Sequence, residues 1–135
     1  MLKQLSIYAE NRKGTFKHVT GILEEENINI LGSVTNDSAE YGIIRMVVSA
    51  PDKAVTALEK ADYLCKLTDV VGVEMADEVG NLHHLLMALS ESKFNVDYVY
   101  LSFNRDSNKP ILIFHADDIR AVEACLAGKG FTVVS

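Results

Sequence analysis

Hydrophobic and polar positions alternate at the start of the chain. Over residues 2–9, Leu5, Ile7 and Ala9 fall on one face of an extended segment, and polar or amphipathic side chains fall on the other. This period of two predicts a half-buried β-strand. Between residues 16 and 23 the apolar positions recur every three or four residues, which predicts an amphipathic helix.

Four further elements complete the first half of the chain. The strand over 42–48 is apolar on both faces and carries Arg45 as its one charge, which favours a covered second face. Pro51 marks the first turn of a helix, because proline fits the position where a backbone N–H has no partner. The four predicted elements are a strand over 28–35, a strand over 42–48, a helix over 51–60 and a strand over 63–67, and a polar hairpin loop over 36–40 joins the two strands that precede the helix.

The second half repeats this order at an offset of 66 residues. Val71, Val73 and Met75 follow the apolar positions of the first strand, and Leu82, Leu85 and Leu89 follow Phe16, Val19 and Leu23. A strand over 111–115, a helix over 118–127 and a strand over 131–134 complete the repeat. Right-handed crossovers place both helices of each half on one face of an antiparallel sheet. We therefore predict an α+β fold with two ferredoxin-like βαββαβ units, over residues 1–68 and 69–135.

One polar turn with a glycine occurs in each half, between the first strand and the first helix. The turns are Asn11–Phe16 and Asp77–Leu82, with glycines at 14 and 80. A helix N-terminus presents unpaired N–H groups and attracts a carboxylate or phosphate, and glycine lets such a group approach closely. Thr15 or Asn81 is placed to cap the helix. The alternative is that each glycine serves only the geometry of the turn and binds no ligand, since glycine is the usual residue wherever φ is positive.

These residues resemble the ACT domain over essentially the whole chain. The resemblance rests on an Asn/Asp-x-x-Gly-x-aromatic/Leu turn after the first strand and on an Asn-Ile/Val pair before the second strand. ACT domains commonly have proline before the glycine, where this chain has Lys13 and Val79. ACT domains are similar to one another in pairing edge to edge and in holding small molecules, usually amino acids, at the shared interface. Duplicated units without an enzyme domain resemble stand-alone amino-acid-binding regulatory proteins.

The resemblance implies a non-catalytic amino-acid sensor that forms a homodimer and acts on a regulated enzyme. Amides near the two glycines would take the ligand carboxylate, and groups near Asn29 and Asn95 would take its ammonium. The candidate ligand-binding residues are Asn11, Arg12, Lys13, Gly14, Thr15, Phe16, Asn29, Ile30, Leu31, Asp77, Val79, Gly80, Asn81, Leu82, Asn95, Val96, Asp97 and Tyr98.

Composition narrows the class of partner. A formal charge of −6 with scattered cations argues against nucleic acid. No apolar run is long enough to span a membrane, and the N-terminus lacks a signal-peptide pattern, so a cytoplasmic protein is expected.

Cys65 and Cys125 are too few for a disulfide framework. Adjacent helical residues such as His83 and His84 point about 100° apart and rarely share one ion, so no metal site is predicted. No cofactor is predicted either.

Two alternatives remain open at this point. Acylphosphatase-like hydrolases share the βαββαβ topology, and Arg12 and Asn36 could take the phosphate-binding and water-orienting roles. A protein-interaction module without any ligand is the other alternative.

Overall fold

The fold was obtained as a computed structural model, which describes residues 2–10, 12–37 and 41–135. The candidate site residue Asn11 and positions 38–40 of the predicted hairpin loop lie outside the described residues. The secondary structure comprises β1 (Leu2–Glu10), α1 (Thr15–Glu25), β2 (Ile30–Asp37), β3 (Tyr41–Val48), α2 (Pro51–Lys60), β4 (Leu64–Glu74), α3 (Asn81–Glu91), β5 (Tyr98–Asn104), β6 (Lys109–His115), α4 (Ile119–Gly128) and β7 (Thr132–Val134).

The chain divides into two compact units. The N-terminal unit is Lys3–Thr68, and the C-terminal unit is Asp69–Ser135 together with Leu2. The boundary falls inside β4, which is one continuous strand where the sequence pattern predicts two. Neither glycine nor proline occurs between Leu64 and Val71, so nothing in that stretch ends the strand.

In the N-terminal unit, β3 lies between β1 and β2, and both pairings are antiparallel. Leu5 pairs with Met46 and Ile7 with Ile44, so these side chains share the face that packs on α1 and α2. Helix α1 contributes Val19 and Leu23 to this core, at the spacing that the sequence predicts. Burial of these apolar side chains is the main stabilising contribution to the unit.

In the C-terminal unit, the strand order is β5-β6-β4-β7 and every pairing is antiparallel. Its core repeats the first, with Val71, Val73 and Phe114 from the sheet packed beneath Leu85 and Leu89 of α3 and beneath α4. The predicted α+β fold, with ferredoxin-like units, antiparallel sheets and helices on one face, is therefore confirmed.

Side chains on the opposite face of each sheet are buried as well. Gln4 and Ser6 of β1 are buried and joined by a hydrogen bond of 3.1 Å from Gln4 Nε2 to Ser6 Oγ. Val47 of β3, Tyr100 of β5 and Ile113 of β6 are also buried. The doubly apolar pattern of β3 thus indicates correctly that its second face is covered.

Both ends of strand β2 differ from the predicted ones. Strand β2 begins at Ile30 rather than 28, because the chain leaves α1 through Asn27, whose φ is 57°. The amide of Ile28 donates to the Leu23 carbonyl at 2.9 Å, which closes the helix end. Strand β2 also continues through positions 36 and 37, which the polar composition assigns to a loop.

Candidate functional site

The two glycine turns have the same backbone conformation. Gly14 and Gly80 are the N-cap residues of α1 and α3, and their φ angles are 89° and 88°. Residues other than glycine reach this left-handed region only at a cost, so each glycine is required by the turn. Neither glycine carries a side chain that could cover the first turn of its helix.

Thr15 and Asn81 do not cap their helices, and the prediction that they do is wrong. Each is the first residue of its helix, and its side chain points back to the backbone that enters the turn. Thr15 Oγ1 donates to the Glu10 carbonyl at 3.2 Å, and Asn81 Nδ2 donates to the Ala76 carbonyl at 3.0 Å. The hydroxyl and the amide therefore close equivalent loops, whereas the helix starts have no side-chain cap.

Backbone hydrogen bonds complete the turn in the same way in both copies. The Thr15 amide donates to the Arg12 carbonyl, and the Asn81 amide to the Glu78 carbonyl, both at 3.2 Å. The amides of Phe16 and Lys17 come next in α1. No carbonyl of the helix lies one turn before them, and the first helical hydrogen bond is the one from the His18 amide to the Gly14 carbonyl. They therefore face outward at the positive end of the helix dipole, which is the arrangement that binds an anion.

Cationic side chains surround the first turn. Lys13 and Lys17 are exposed on either side of Gly14. The Arg12 guanidinium forms an exposed ion pair with the Glu10 carboxylate, so part of its charge is neutralised locally. The turn therefore carries two lysines that add to the attraction of the α1 N-terminus for a carboxylate.

The second turn has the opposite electrostatic character. Asp77 and Glu78 occupy the positions of Asn11 and Arg12, and both are exposed. Val79, at the position of Lys13, is fully exposed. Because its acidic side chains repel an anion, this turn is the weaker of the two candidate carboxylate sites.

A shallow depression of about 370 Å³ extends from Gly14 along α1. Lys17, His18 and Gly21 line it, three, four and seven residues after Gly14, so one helix face carries them all. The His18 ring is held by the hydroxyl of Tyr63, with Nδ1 and the Tyr63 oxygen 2.5 Å apart. The candidate site residues drawn from the sequence do not include these three, although their helical spacing from Gly14 identifies them.

Asn29 and Ile30 lie in a second depression of about 510 Å³, at the other end of α1. Thr20 and Glu24 of α1 form its helical side. The backbone of Asn29 is fixed by two hydrogen bonds of 2.9 Å, one to Ser49 Oγ and one from the Ser49 amide. Leu31, the next predicted site residue, is half-buried within β2.

The C-terminal unit has an equivalent depression of about 420 Å³. Asn95 and Val96 line it at the positions of Asn29 and Ile30, together with Leu86 and Ser90 of α3. Replacement of Thr20 by Leu86 and of Glu24 by Ser90 makes the second depression less polar on its helical side.

The turn residues and the strand residues of one unit do not meet. Gly14 begins α1, whereas Asn29 follows the end of that helix at Glu25. A helix of 11 residues is about 16 Å long, which exceeds the length of a free amino acid. The two predicted halves of the site within a unit are therefore separate surfaces, and a ligand bound at one turn does not reach the Asn29 depression of that unit.

Asp97 and Tyr98 form a third group, beside the start of β5. His115 Nδ1 lies 2.7 Å from Asp97 Oδ2, and the His115 and Tyr98 rings stack with centroids 5.9 Å apart. Tyr98 stacks in turn on Tyr100 at 6.4 Å. The Asp97 carboxylate is thus already engaged by a side chain of its own unit.

Comparison with known families decides the classification of the chain. The model of the ACT domain pair matches residues 1–133. The chain belongs to the ACT domain pair family. The resemblance drawn from the two turns is therefore confirmed over nearly the full length of the sequence.

Solved structures place this ACT domain pair among similar folds. Protein BT0572 from Bacteroides thetaiotaomicron is 32% identical, with a TM-score of 0.89, and the match covers 98% of this chain and 91% of that one. The regulatory subunit of aspartate kinase from Thermus thermophilus, in its ligand-free form, is 16% identical with a TM-score of 0.64, covering 93% and 90%. The corresponding subunit from Thermus flavus is 16% identical with a TM-score of 0.63, covering 92% of each chain. No curated protein matches the chain.

The described residues of this ACT domain pair were also compared with the requirements of a metal site, a membrane span and a reactive thiol. Among residues 2–10, 12–37 and 41–135, no three His, Cys, Asp or Glu side chains come together in a group that could hold a metal ion. Within the same described ranges, no helix has the length and hydropathy needed to cross a membrane. Burial, and to a smaller extent the charge of Glu59, raises the pKa of the Cys65 thiol to about 11, which disfavours the thiolate.

Proposed function

We propose that this ACT domain pair is a non-catalytic regulatory protein that binds a free amino acid between ACT-like units. One observation carries the proposal: the N-terminus of α1 behind Gly14 has no side-chain cap, and two lysines flank it. Membership of the ACT domain pair family supports the same conclusion. The alternative of an uncharged ligand leaves these outward amides and both lysines without a role.

The carboxylate is the group that this turn recognises. The amides of Phe16 and Lys17 supply N–H donors, and the helix dipole adds a positive potential there. Hydrogen bonds to a charged group contribute about 1.5–3 kcal/mol each, which is enough to orient a small ligand. The Gly80 turn offers the same amides, but its acidic neighbours make it the weaker site.

The ammonium group requires acceptors that one turn does not provide. Because the Asn29 depression lies about one helix length from the Gly14 turn of the same unit, we assign the ammonium contacts to a second ACT-like unit. Carbonyls or side chains near Asn29, Asn95 or Asp97 are the candidate acceptors. This arrangement makes ligand binding depend on how the units pair, which is how a binding protein transmits a signal.

The partners in this proposal are the amino acid, a second copy of the chain and a regulated enzyme, in the cytoplasm. The regulatory subunits of aspartate kinase share the fold.

A thermal-shift screen against the twenty amino acids at millimolar concentration tests the proposal. A ligand that binds only the folded protein stabilises it in proportion to ln(1 + [L]/Kd), so one amino acid or a few chemically related ones should raise the Tm. Hydrolysis of an acyl phosphate, measured on the same sample, should not exceed the buffer rate. A flat screen contradicts the ligand, and enzymatic hydrolysis contradicts the non-catalytic role.

A further inference from the structure

Apolar side chains form part of the depression at the end of α3, which we call the Asn95 depression. Its volume of about 420 Å³ is within the usual range for a site that binds a small molecule. Leu89 in its lining is buried, whereas Leu86 is 38% exposed and can be covered by a ligand. Phe94 and Val96, the other apolar lining residues, are half-buried and pack against the core of the C-terminal unit.

Three polar side chains line the same depression, those of Ser90, Lys93 and Asn95. All three are exposed, and within the part of the chain that the structure describes none of them has a hydrogen bond or an ion pair through its side chain. Glu91, the acidic residue of α3, is engaged elsewhere, because Lys129 Nζ lies 3.5 Å from its Oε2. The Lys93 ammonium therefore remains available to an anionic ligand.

Lys93 has a backbone conformation that lysine rarely adopts. Its φ is 60°, and the equivalent residue after α1 is Asn27, with a φ of 57°. Asparagine tolerates this left-handed region better than lysine, because its short polar side chain can bond to the backbone nearby. The other non-glycine residues with positive φ in the described ranges are Asp62 and Asn108, which are of the tolerated types. A lysine at 93 thus costs stability that an asparagine would not, and such a departure is expected at a functional position.

The equivalent depression of the N-terminal unit has the opposite charge. Glu24 lines it, is exposed, and has no ionic partner among the residues described. Asn27 stands there in place of Lys93. The Asn29 depression therefore favours a cation, such as the ammonium group of an amino acid, whereas the Asn95 depression repels one.

We propose that the Asn95 depression binds a small monocarboxylate that has an apolar body and no ammonium group. Lys93 and Ser90 bind the carboxylate, and the apolar body covers Leu86 and Phe94. An ion pair to an exposed lysine contributes little by itself, so the apolar contact supplies much of the affinity and the Kd lies in the millimolar range. This site does not use the Gly14 turn, and it is therefore a second site beyond the one in the proposed function.

An NMR titration of the ¹⁵N-labelled chain with matched compounds tests the class of ligand. 4-Methylpentanoate combines a branched apolar body with a carboxylate, and it should shift the amide resonances of residues 93–96 saturably at millimolar concentration. 4-Methylpentanamide lacks the charge and acetate lacks the apolar body, so each should bind there about fivefold more weakly. Leucine, which adds an ammonium group to 4-methylpentanoate, should also bind there more weakly, because Lys93 repels the added charge.

Substitution of Lys93 should have two effects of opposite sign. Lys93→Asn should weaken the binding of 4-methylpentanoate about fivefold, and it should raise the Tm by about 2 °C because asparagine suits the backbone conformation. Lys109→Asn is the matched control, since Lys109 is exposed at the start of β6 and has no positive φ. It should leave binding unchanged and should not raise the Tm.

Leu86→Thr tests the apolar part of the site. It introduces the residue that occupies the equivalent position, 20, in the N-terminal unit, and it should weaken 4-methylpentanoate severalfold. Leu86 is outside the core, so this variant should keep the wild-type amide spectrum away from the depression.

Three results would overturn the proposal: no saturable shift at residues 93–96, an amide that binds as tightly as the carboxylate, or undiminished binding by Lys93→Asn. Shifts that an amino acid causes at residues 14–17 report on the proposed function instead. Because the two sets of resonances are separate, either site can fail while the other stands.

Discussion

Gly14 and Gly80, 66 residues apart, adopt the same left-handed conformation at the start of equivalent helices. Their surroundings differ in charge, with lysines near the first and carboxylates near the second. The backbone of the turn has therefore been kept in both copies, while the electrostatic potential has not. The conformation explains the glycines, and the difference in potential is what distinguishes the two turns as binding sites.

Replacing either glycine by alanine should destabilise the fold. At a φ near 89° a Cβ costs about 1–2 kcal/mol, and no atom lies within 4 Å of the Cβ position at Gly14, so backbone strain is the whole effect there. Gly21→Ala is the control, since Gly21 lies inside α1 with equal space around it. That change should stabilise by about 0.5–1 kcal/mol. Urea unfolding measures all three variants, and a stabilised Gly14→Ala would contradict the turn geometry.

The side chains of Thr15 and Asn81 should be interchangeable. Each donates a hydrogen bond to the backbone carbonyl five residues earlier. Thr15→Val removes the donor at nearly constant shape and should cost about 0.5–1.5 kcal/mol, as should Asn81→Ala. Thr15→Asn and Asn81→Thr each introduce the side chain that donates the equivalent hydrogen bond in the other unit. The free energy of unfolding of both variants should remain within about 0.5 kcal/mol of that of the wild type. An equal loss in the exchanged variants would mean that the hydrogen bond is not what these residues contribute.

Most of the fold follows from the sequence because its signals are local. The alternation that ends at Ala9, the helical spacing from Phe16 and the proline at 51 each mark an element, and the 66-residue repeat supplies each assignment twice. The continuity of β4 is less visible. The polar pair Thr68 and Asp69 reads as a connection between two strands, and only the absence of glycine and proline indicates that the strand continues.

The candidate site was predicted less completely, for a physical reason. Sequence reasoning located the turn at Gly14 but assigned the cap to Thr15, because a threonine at a helix start is usually a cap. The actual N-cap is the glycine, and φ is not visible in the sequence. The His18–Tyr63 contact joins residues 45 apart, so no local pattern could reveal it.

The thiol of Cys65 should react slowly and only at high pH. Burial, followed by the nearby Glu59 carboxylate, raises its pKa from 9.0 to about 11, so its thiolate fraction near pH 8 is roughly 100-fold lower than for an unperturbed thiol. Iodoacetamide labelling of a Cys125→Ser variant measures this. Labelling should accelerate with pH up to about 11, and Glu59→Gln should speed it modestly, because burial remains.

Unfolding in urea provides the control for that experiment. The exposed thiol then has its ordinary pKa, and labelling at pH 8 should be about 100-fold faster than in the folded protein. Equal rates in the folded and unfolded states would contradict the burial of Cys65.

The most direct test of the account is calorimetric titration with each of the twenty amino acids, followed by the α-carboxamide of the tightest binder. We predict that at least one amino acid binds, and that its carboxamide, which lacks the negative charge, binds at least tenfold more weakly. Lys13→Gln with Lys17→Gln should weaken binding severalfold, whereas Asp77→Asn should not. A carboxamide that binds as tightly as the free acid, or no heat with any amino acid, would contradict carboxylate recognition at the Gly14 turn.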